Sequence, residues 1–386
     1  RLKNKMIHLK GIAWDHPRGF DPMVETAKIY KKKNPEVEIT WDKRPLQAFA
    51  DRPIEEMAFD YDLMVIDHPH VGEASRKKLI YELNNNEKYN DELSLLEKNS
   101  VGLSHQSYNF NNNQYALAID AAAPVSAYRK DLIEHPPHTF EETIKLAEKS
   151  KVIWPIKPVD SISCFNSIAA NLNNPINSHP EKFIDQNLAI EILKMMKHLS
   201  KLVPKDCLFM NPINVLDKMS ESDDFYFCPQ LYGYSNYSRL GFRKSVINFG
   251  NMISFDENKN NCKGSQIGGT GLAISKNTQH LDIALEYTFW VASESCQINQ
   301  FYYSGGQPGH LKAWQNSNIN EDCENFFINT LDTLQNSWLR PRYDGYMYFQ
   351  DIGGTIINTF LKDEISLEQT FNSLLDEFER SFSVNK

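Results

Sequence analysis

The first seventy residues alternate between short apolar runs and one amphipathic stretch. Residues 6–14 form a candidate strand, residues 23–33 keep helical spacing behind the capping pair Asp21 and Pro22, and residues 36–41 alternate polar with apolar side chains. A short helix around 54–58 precedes an apolar run at 61–67 that is typical of a buried parallel strand. This order predicts a βαβαβ unit with an open parallel sheet.

The later two thirds of the chain read mainly as helix. Two sites carry the pattern Ser or Thr followed three positions later by Glu or Gln, which marks the start of a helix. The apolar side chains at 189–203 recur with helical spacing. Helices are therefore predicted at 140–149 behind Thr139, at 189–203, and behind Ser366 to about residue 382, with a strand and a tyrosine-rich loop at 223–238.

The composition places the chain among two-domain globular proteins. Its 386 residues exceed the usual size of a single hydrophobic core. The net charge of −9, and the absence of a basic run longer than residues 31–33, argue against a nucleic-acid surface. No apolar run approaches the roughly 20 residues needed to cross a bilayer, so we do not expect an integral membrane protein.

Six cysteines are scattered along the chain without a C-x-x-C pair. This spacing predicts no zinc site, and His68 with His70, two positions apart in a proline loop, do not form a helical ligand pair. A disulfide from Cys164 to Cys207 or Cys228 remains an alternative, although the wide spacing of the cysteines modestly favours a reducing compartment. We predict neither a bound metal nor a cofactor.

The loop WDHPRG at 14–19 is the strongest local signal for a binding site. It follows the first predicted strand, and ligands of open parallel sheets sit beyond the carboxyl ends of the strands. An indole stacks on apolar sugar faces, while Asp and Arg give charge-assisted hydrogen bonds to hydroxyls. An internal pair of Asp15 with Arg18 is the structural alternative. The candidates here are Trp14, Asp15, His16 and Arg18.

The ends of the second and third strands supply further candidates. The segment IDHPHVG places Asp67 and His68 at the third strand end, where Gly72 would let a helix N-terminus face the ligand. Arg44 follows the second strand and either reaches the same edge or forms a surface ion pair. We expect Arg44, and Asp67 or His68, to contact the ligand.

Three candidates further along the chain each have a structural alternative. Asp120 ends a predicted strand, where its carboxylate accepts from ligand hydroxyls or from hinge amides. Trp154 is either a stacking platform or a core tryptophan. Tyr232, Tyr234 and Tyr237 line one loop, and we expect at least one of them, Tyr232 first, to touch the ligand.

Glycine-rich turns at 268–271 and 305–309 would let the backbone approach a ligand closely. Neither the P-loop pattern nor G-x-G-x-x-G is present, so nucleotide binding has weak support. Arg340 with Arg342 would favour an acidic ligand, unless one of them pairs with Asp344. The candidates from these regions are Gly268, Gly269, Thr270, Gln307 and Arg342.

Residues 268–310 combine a glycine loop, a short strand, an amphipathic helix and a second glycine turn. This unit resembles the return segment of extracellular solute-binding proteins of ABC importers, of the carbohydrate type that includes maltose and glycerol-phosphate binders. The resemblance covers nearly the whole chain and is clearest at 11–72, 115–129 and 268–310.

The resemblance implies a two-lobed α/β fold of the periplasmic-binding-protein type II. Each lobe would be an open, mostly parallel sheet flanked by helices, with the ligand cleft between the lobes. One lobe would comprise 1–118 and 270–315, the other 119–269 and 316–386, with chain crossings near 119–124 and 265–270.

The implied function is that of the substrate-binding component of an ABC importer. Such a protein would capture a sugar, polyol or sugar acid by hinge closure and deliver it, as a monomer, to the transmembrane permease subunits. It would lie in the periplasm or on an extracellular lipid anchor. The chain begins at Arg1 without an apolar leader, so an export signal was removed, was left out or never existed. Met6 is an alternative start, with a cytoplasmic location.

A cytosolic enzyme on the same scaffold is the alternative function. At least one thiamin-degrading enzyme class shares the fold, as the resemblance implies, and unpaired cysteines without an export signal would suit it. The sequence has no G-x-S-x-G motif, and Cys164 lacks papain-type surroundings. We therefore predict a binding protein with no catalytic residue.

Overall fold

The chain folds into two compact units, each with its own sheet. The computed structural model describes residues 5–45, 48 and 53–386. Unit 1 comprises Arg1–Ala121, Gly268–Ile319 and Arg342–Asp344, and unit 2 comprises Ala122–Ile267, Asn320–Pro341 and Gly345–Lys386. Both units combine helices with strands, which confirms the predicted α/β class.

The order of elements follows the alternation of apolar and polar segments. The strands are β1 (Ile7–Trp14), β2 (Val37–Arg44), β3 (Leu63–Ile66), β4 (Asn109–Phe110), β5 (Asn113–Gln114), β6 (Leu117–Asp120), β7 (Pro124–Tyr128), β8 (Phe227–Tyr232), β9 (Asn248–Gly250) and β10 (Thr270–Ile274). The helices are α1 (Pro17–Lys33), α2 (Ile54–Asp60), α3 (Val71–Lys77), α4 (Asn90–Lys98), α5 (Ser104–Ser107), α6 (Phe140–Ala147), α7 (Pro158–Asn171), α8 (Gln186–Leu202), α9 (Pro212–Glu221), α10 (Leu281–Ala292), α11 (Glu294–Cys296), α12 (Leu311–Trp314), α13 (Ser317–Asp322), α14 (Phe326–Gln335), α15 (Tyr346–Leu361) and α16 (Leu367–Ser381). Within the described ranges, none of these helices combines the length and apolar character that crossing a bilayer requires.

Unit 1 is organised on a five-stranded sheet in the order β2-β1-β3-β10-β6. β1 pairs in parallel with β2 and β3, and β10 runs antiparallel to β3 and β6. The predicted βαβαβ start with a parallel sheet is confirmed. Because β10 is the one reversed strand of this sheet, its first residues lie at the edge where the other four strands end.

Helix α1 begins five residues earlier than the sequence predicts. Asp21 and Pro22 do not cap it: the helix starts at Pro17, behind His16, and Pro22 lies inside it. His16 has extended backbone, and its Nδ1 accepts a hydrogen bond from the backbone N–H of Arg18 at 3.0 Å. Proline is tolerated at the first helical position, because the N–H that it lacks there has no partner within the helix. The helix therefore starts immediately at the end of β1.

Unit 2 is mainly helical around a three-stranded sheet in the order β8-β7-β9. Both strand pairs are antiparallel, so the expectation of a mostly parallel sheet is wrong for this unit. Every residue of β8 except Tyr232 is buried. Buried and exposed residues do not alternate along β8, so the pattern typical of an antiparallel strand with one solvent-facing side is missing here.

The helices of unit 2 follow the predicted caps. Ser366 and Gln369 form a reciprocal capping box at the start of α16, and Thr139 accepts from the backbone of Glu142 at the start of α6. Phe183 packs among the rings of other phenylalanines, with Phe378 at 5.1 Å between ring centroids. Unit 2 thus has an aromatic core of its own.

Candidate functional site

One edge of the unit 1 sheet collects the candidates predicted from strand ends. Trp14 lies opposite Arg44 where β1 and β2 end, and Thr270 lies opposite Asp120 where β10 and β6 meet. Asp67 directly follows β3, the strand between β1 and β10. Five residues that are far apart in sequence therefore share the edge at which open sheets bind ligands.

The WDHPRG loop forms a packed layer at this edge. The rings of Trp14 and His16 stack with centroids 5.5 Å apart and an interplanar angle of 15°. The Arg18 guanidinium lies 5.4 Å from the Trp14 ring centroid, within the range of a cation–π contact. All three side chains are buried. Most of the Trp14 indole is therefore covered by its own loop.

Arg18 and Asp120 form a bidentate ion pair inside unit 1. Nε of Arg18 donates to Oδ2 of Asp120 at 2.8 Å, and Nη2 donates to Oδ1 at 2.7 Å. The side chains are 4% and 3% exposed. The alternative pairing of Asp15 with Arg18 is wrong, because Asp15 pairs with Lys43 at 3.1 Å on the surface. The buried pair joins the first turn of α1 to the last residue of β6.

Asp67 is the accessible member of the third strand end. Its Oδ1 accepts from the backbone N–H of His68 at 2.9 Å, and its side chain remains 23% exposed. His68 is fully buried and meets Tyr108 edge to face, with ring centroids 6.2 Å apart. Between the two candidates, the geometry favours Asp67.

Gly72 has a packing role that the sequence did not reveal. It lies inside α3, where an added Cβ would approach the carbonyl oxygen of Arg342 to 2.1 Å. Glycine is therefore required for the close passage of the segment Arg342–Asp344, which belongs to unit 1. The structure gives no support to a role for Gly72 in aiming a helix N-terminus at a ligand.

The two glycine turns brace the end of β6. Gly269, between Gly268 and Thr270, has φ +91°, and an added Cβ would lie 2.3 Å from the carbonyl oxygen of Asp120. Gln307 is fully buried, and its Nε2 donates to the carbonyl oxygen of Ala121 at 2.9 Å. These contacts hold the last residues of unit 1 before the chain passes into unit 2.

The arginine candidates Arg18 and Arg342 are engaged by the protein. Nη1 of Arg342 donates to the carbonyl oxygens of Gln106, at 2.9 Å, and Asn109, and burial lowers the pKa of the Arg342 guanidinium. Arg44 is buried at the end of β2. Fixed guanidinium groups weaken the argument for an acidic ligand.

The neighbours of Arg342 in the RPRYDGY segment are paired in a similar way. Nη1 of Arg340 donates to Oε1 of Gln350 at 2.9 Å within unit 2. Asp344, which was expected to pair with one of the two arginines, forms an ion pair with Arg76. A hydrogen bond to Gln350 and an ion pair to Arg76 therefore help to hold the RPRYDGY segment in place.

In unit 2, Tyr232 is the tyrosine of the predicted loop that keeps partial exposure. Its hydroxyl accepts from Nε2 of Gln266 at 2.8 Å, and Oε1 of Gln266 accepts from Nδ2 of Asn166 at 3.0 Å. Sequence reasoning missed Gln266 and Asn166. Their signals were a glutamine two residues before the Gly268 turn and an asparagine within an apolar helical stretch.

The other aromatic candidates of unit 2 belong to its core. Trp154 is 1% exposed, which favours the core alternative for this residue. Tyr234 and Tyr237 are also buried, and the Tyr237 hydroxyl donates to Oδ1 of Asp217 at 2.6 Å. Tyr232 is therefore the partly exposed member of this group.

The cysteines are all free thiols, so Cys164 forms no disulfide with Cys207 or Cys228. Burial raises the pKa of the Cys164 thiol well above its ordinary value and that of Cys207 to about 11. A reactive cysteine needs its thiolate form, which these sites disfavour. Across residues 5–45, 48 and 53–386, no three metal-ligating side chains come together as a metal site.

Solved structures of solute-binding proteins share this fold. The chain superposes on maltose-bound MalE3 of T. maritima with a TM-score of 0.84 at 16% identity, covering 97% of this chain and 99% of that one. A ribitol complex of an ABC transporter solute-binding protein from Agrobacterium radiobacter K84 gives a TM-score of 0.80 at 18% identity, with coverage of 97% and 99%. Maltotriose-bound maltotriose-binding protein of Thermus thermophilus gives 0.78 at 15%, with 98% and 100%.

No family model matches the chain, and no curated protein matches its sequence. The likeness to solved structures nevertheless covers nearly the full length of both chains in each comparison. Identities this low establish the fold and leave the ligand open. The chain has the two-domain solute-binding-protein fold that the sequence resemblance implied.

Proposed function

We propose that the chain is the substrate-binding component of an ABC importer, capturing a small polar metabolite. The observation that carries this proposal is the convergence of Trp14, Arg44, Asp67, Asp120 and Thr270 on one edge of the unit 1 sheet. Proteins with this fold include maltose, maltotriose and ribitol complexes. A sheet edge with polar side chains, on such a scaffold, suits capture of a hydroxyl-rich ligand.

The ligand is a neutral sugar or polyol in this proposal. Among the unit 1 candidates, the accessible polar groups are the carboxylates of Asp15 and Asp67, which accept hydrogen bonds from hydroxyl groups. The guanidinium groups of Arg18 and Arg342 are held by protein acceptors. A sugar acid or phosphate would lack a strong cationic partner among these residues.

The mechanism would be hinge closure followed by delivery to a permease. The crossings near 119–124 and 265–270 would absorb the dihedral change, with Gly269 and Gln307 fixing the unit 1 side of the first crossing. We place the protein in the periplasm or on an extracellular lipid anchor, acting as a monomer beside the transmembrane subunits.

The enzyme alternative loses its main candidates. Cys164 is buried with a raised thiol pKa, and the Asp120 carboxylate is occupied by Arg18. A nucleophile needs both access and activation, and neither residue shows them. Binding without turnover is therefore the proposal.

Equilibrium dialysis against a mixture of neutral sugars, polyols, sugar acids and sugar phosphates tests it. The retained compounds are released by denaturation and identified by mass spectrometry. We expect a neutral sugar or polyol to be retained and released unchanged. Retention of nothing, or accumulation of a converted product in the dialysate, would contradict the proposal.

A further inference from the structure

A polar groove in unit 1 shares no lining residue with the sheet edge described above. It has a volume of about 560 Å³ and is bounded by α4 on one side and by α5 with the β4–β5 hairpin on the other. We call it the amide groove. Its polar lining includes Asn84, Asn90, Ser94, His105, Gln106 and Gln114.

The α4 wall is unusual for a helix of a globular protein. None of its residues is buried, although apolar side chains normally anchor such a helix. Asn90, Ser94 and Glu97 line the groove at positions i, i+4 and i+7, which places them on one face of the helix. A polar helical face therefore borders an open volume.

The opposite wall is rigid. Nε2 of Gln114 donates to the carbonyl oxygens of His105 at 2.8 Å and Ala116 at 3.0 Å. Oδ1 of Asn84 accepts from the backbone N–H of Gln114 at 2.9 Å, and its Nδ2 donates to Oδ1 of Asn113 at 3.2 Å. Preorganised walls reduce the entropy that a ligand must overcome on binding.

Several groups in the groove keep their hydrogen-bonding capacity. Within the described part of the chain, the side chains of Asn90, Ser94, Glu97 and Gln106 make no hydrogen bond, and neither does the His105 ring. Burial lowers the pKa of His105 to about 4, so its imidazole is neutral at physiological pH. A neutral imidazole offers one donor and one acceptor.

The charge of the groove points to a neutral ligand. Among the described residues that line it, Glu97 is the one charged side chain and none is a lysine or an arginine. The nearby Arg342 does not line the groove, and its Nη1 donates to the carbonyl oxygens of Gln106 and Asn109. Anions therefore have no counter-charge here. The amides, the hydroxyl and the neutral imidazole each donate and accept hydrogen bonds, and sugar hydroxyl groups do the same.

We propose that the amide groove is a second binding site, separate from the sheet edge, for a neutral saccharide of two or three sugar units. Its volume falls in the range of small-molecule sites, roughly 300–1,000 Å³. Because the groove lies wholly within unit 1, it needs no movement of one unit against the other. The inference stands whether or not the proposed import function is correct.

Hydrogen–deuterium exchange with mass spectrometry tests it on the full chain. Maltotriose, cellotriose and triacetylchitotriose are added separately at about 10 mM, which detects dissociation constants in the millimolar range. We expect at least one of them to slow exchange in peptides covering residues 84–114. Peptides covering 14–19 and 66–70 report the sheet edge independently.

Ser94→Trp fills the groove with an indole, and Leu95→Trp is its matched control. Leu95 is 60% exposed and does not line the groove. We expect Ser94→Trp to abolish the protection at 84–114 and Leu95→Trp to preserve it. Gln106 is exposed, so Gln106→Ala replaces Ser94→Trp in this test if that variant fails to fold. We expect Gln106→Ala to lower the affinity for the protecting saccharide several-fold. Absence of protection with all three probes, or protection that survives both groove variants, overturns the proposal.

Discussion

Arg18 and Asp120, 102 positions apart in sequence, share two hydrogen bonds in the interior of unit 1. Both residues were predicted to meet the ligand, and the structure shows that they also bind each other. A buried guanidinium left without its carboxylate is costly, because the charge loses its partner and regains little water. The pair therefore acts first on stability and on the position of the β6 end.

We expect Asp120→Asn to lower the free energy of unfolding by about 3 kcal/mol. Lys43→Met, which breaks the exposed pair with Asp15, should cost at most about 1 kcal/mol. Urea denaturation followed by tryptophan fluorescence measures both. Equal losses of unfolding free energy in the two variants would show that the buried pair stabilises the protein no more than the exposed pair does.

Gly269→Ala should destabilise the protein more than Gly241→Ala does. Both glycines have positive φ, +91° and +86°, but only Gly269 faces a backbone atom within contact range, whereas a Cβ on Gly241 meets open space. The strain of positive φ alone costs on the order of 1 kcal/mol, and the clash with Asp120 adds to it. A smaller loss of Tm for Gly269→Ala than for Gly241→Ala would refute the bracing role.

Asp160 in α7 gives a pH-dependent prediction. Burial raises the pKa of its carboxyl well above the ordinary value of 3.8, opposed by the nearby Lys157, and its Oδ2 has no hydrogen-bond partner in the described part of unit 2. The folded state therefore binds a proton that the unfolded chain releases. The stability linked to this carboxyl is complete below pH 3.8 and is lost as the pH rises through the raised pKa.

We therefore expect Asp160→Asn to stabilise the protein at neutral pH, with a gain that shrinks as the pH falls towards 3.8. Asp206→Asn, at an exposed position in the same unit, is the control and should change little. Tm values between acidic and neutral pH provide the comparison. A gain of equal size at every pH would argue against a protonated Asp160.

The thiols should differ in their reaction with a disulfide reagent. Cys262 is only partly buried, whereas the other five cysteines are buried, and burial raises the pKa of Cys207 to about 11 and of Cys296 to about 12. We expect the Cys262 thiol to react in the folded protein, and the other five thiols to react only when the protein unfolds. Cys262→Ser should remove the early reaction. Several rapidly reacting thiols in the native protein would contradict this assignment.

The sequence predicted the elements of unit 1 well because apolar periodicity and caps are local. β1 and β3 were found from short apolar runs and β2 from the alternation of polar and apolar side chains, and their order along the chain predicted the parallel sheet. The direction of the strands in unit 2 could not be found in this way. β8 is buried on both faces, so its apolar run carries no mark of antiparallel pairing.

The sequence predicted which side chains share one edge of the sheet but not the partner of each side chain there. Asp120 lies far from Arg18 along the chain, and the two ends meet because β3 and β10 place β6 in the same sheet as β1. Gln266 and Asn166 were missed for the same reason, because their contact joins two distant segments. Long-range pairing of polar groups depends on the folded arrangement and leaves little trace in local composition.

The central claim is that the protein binds a small neutral sugar or polyol. A thermal melting screen of the full chain against neutral sugars, polyols, sugar acids and sugar phosphates tests it most directly. At a ligand concentration of 100 times Kd, binding adds about 2.7 kcal/mol of stability, and we predict a rise in Tm of about 3 °C or more with a neutral compound. A rise with the anionic compounds alone, or with none of the compounds, would contradict the account.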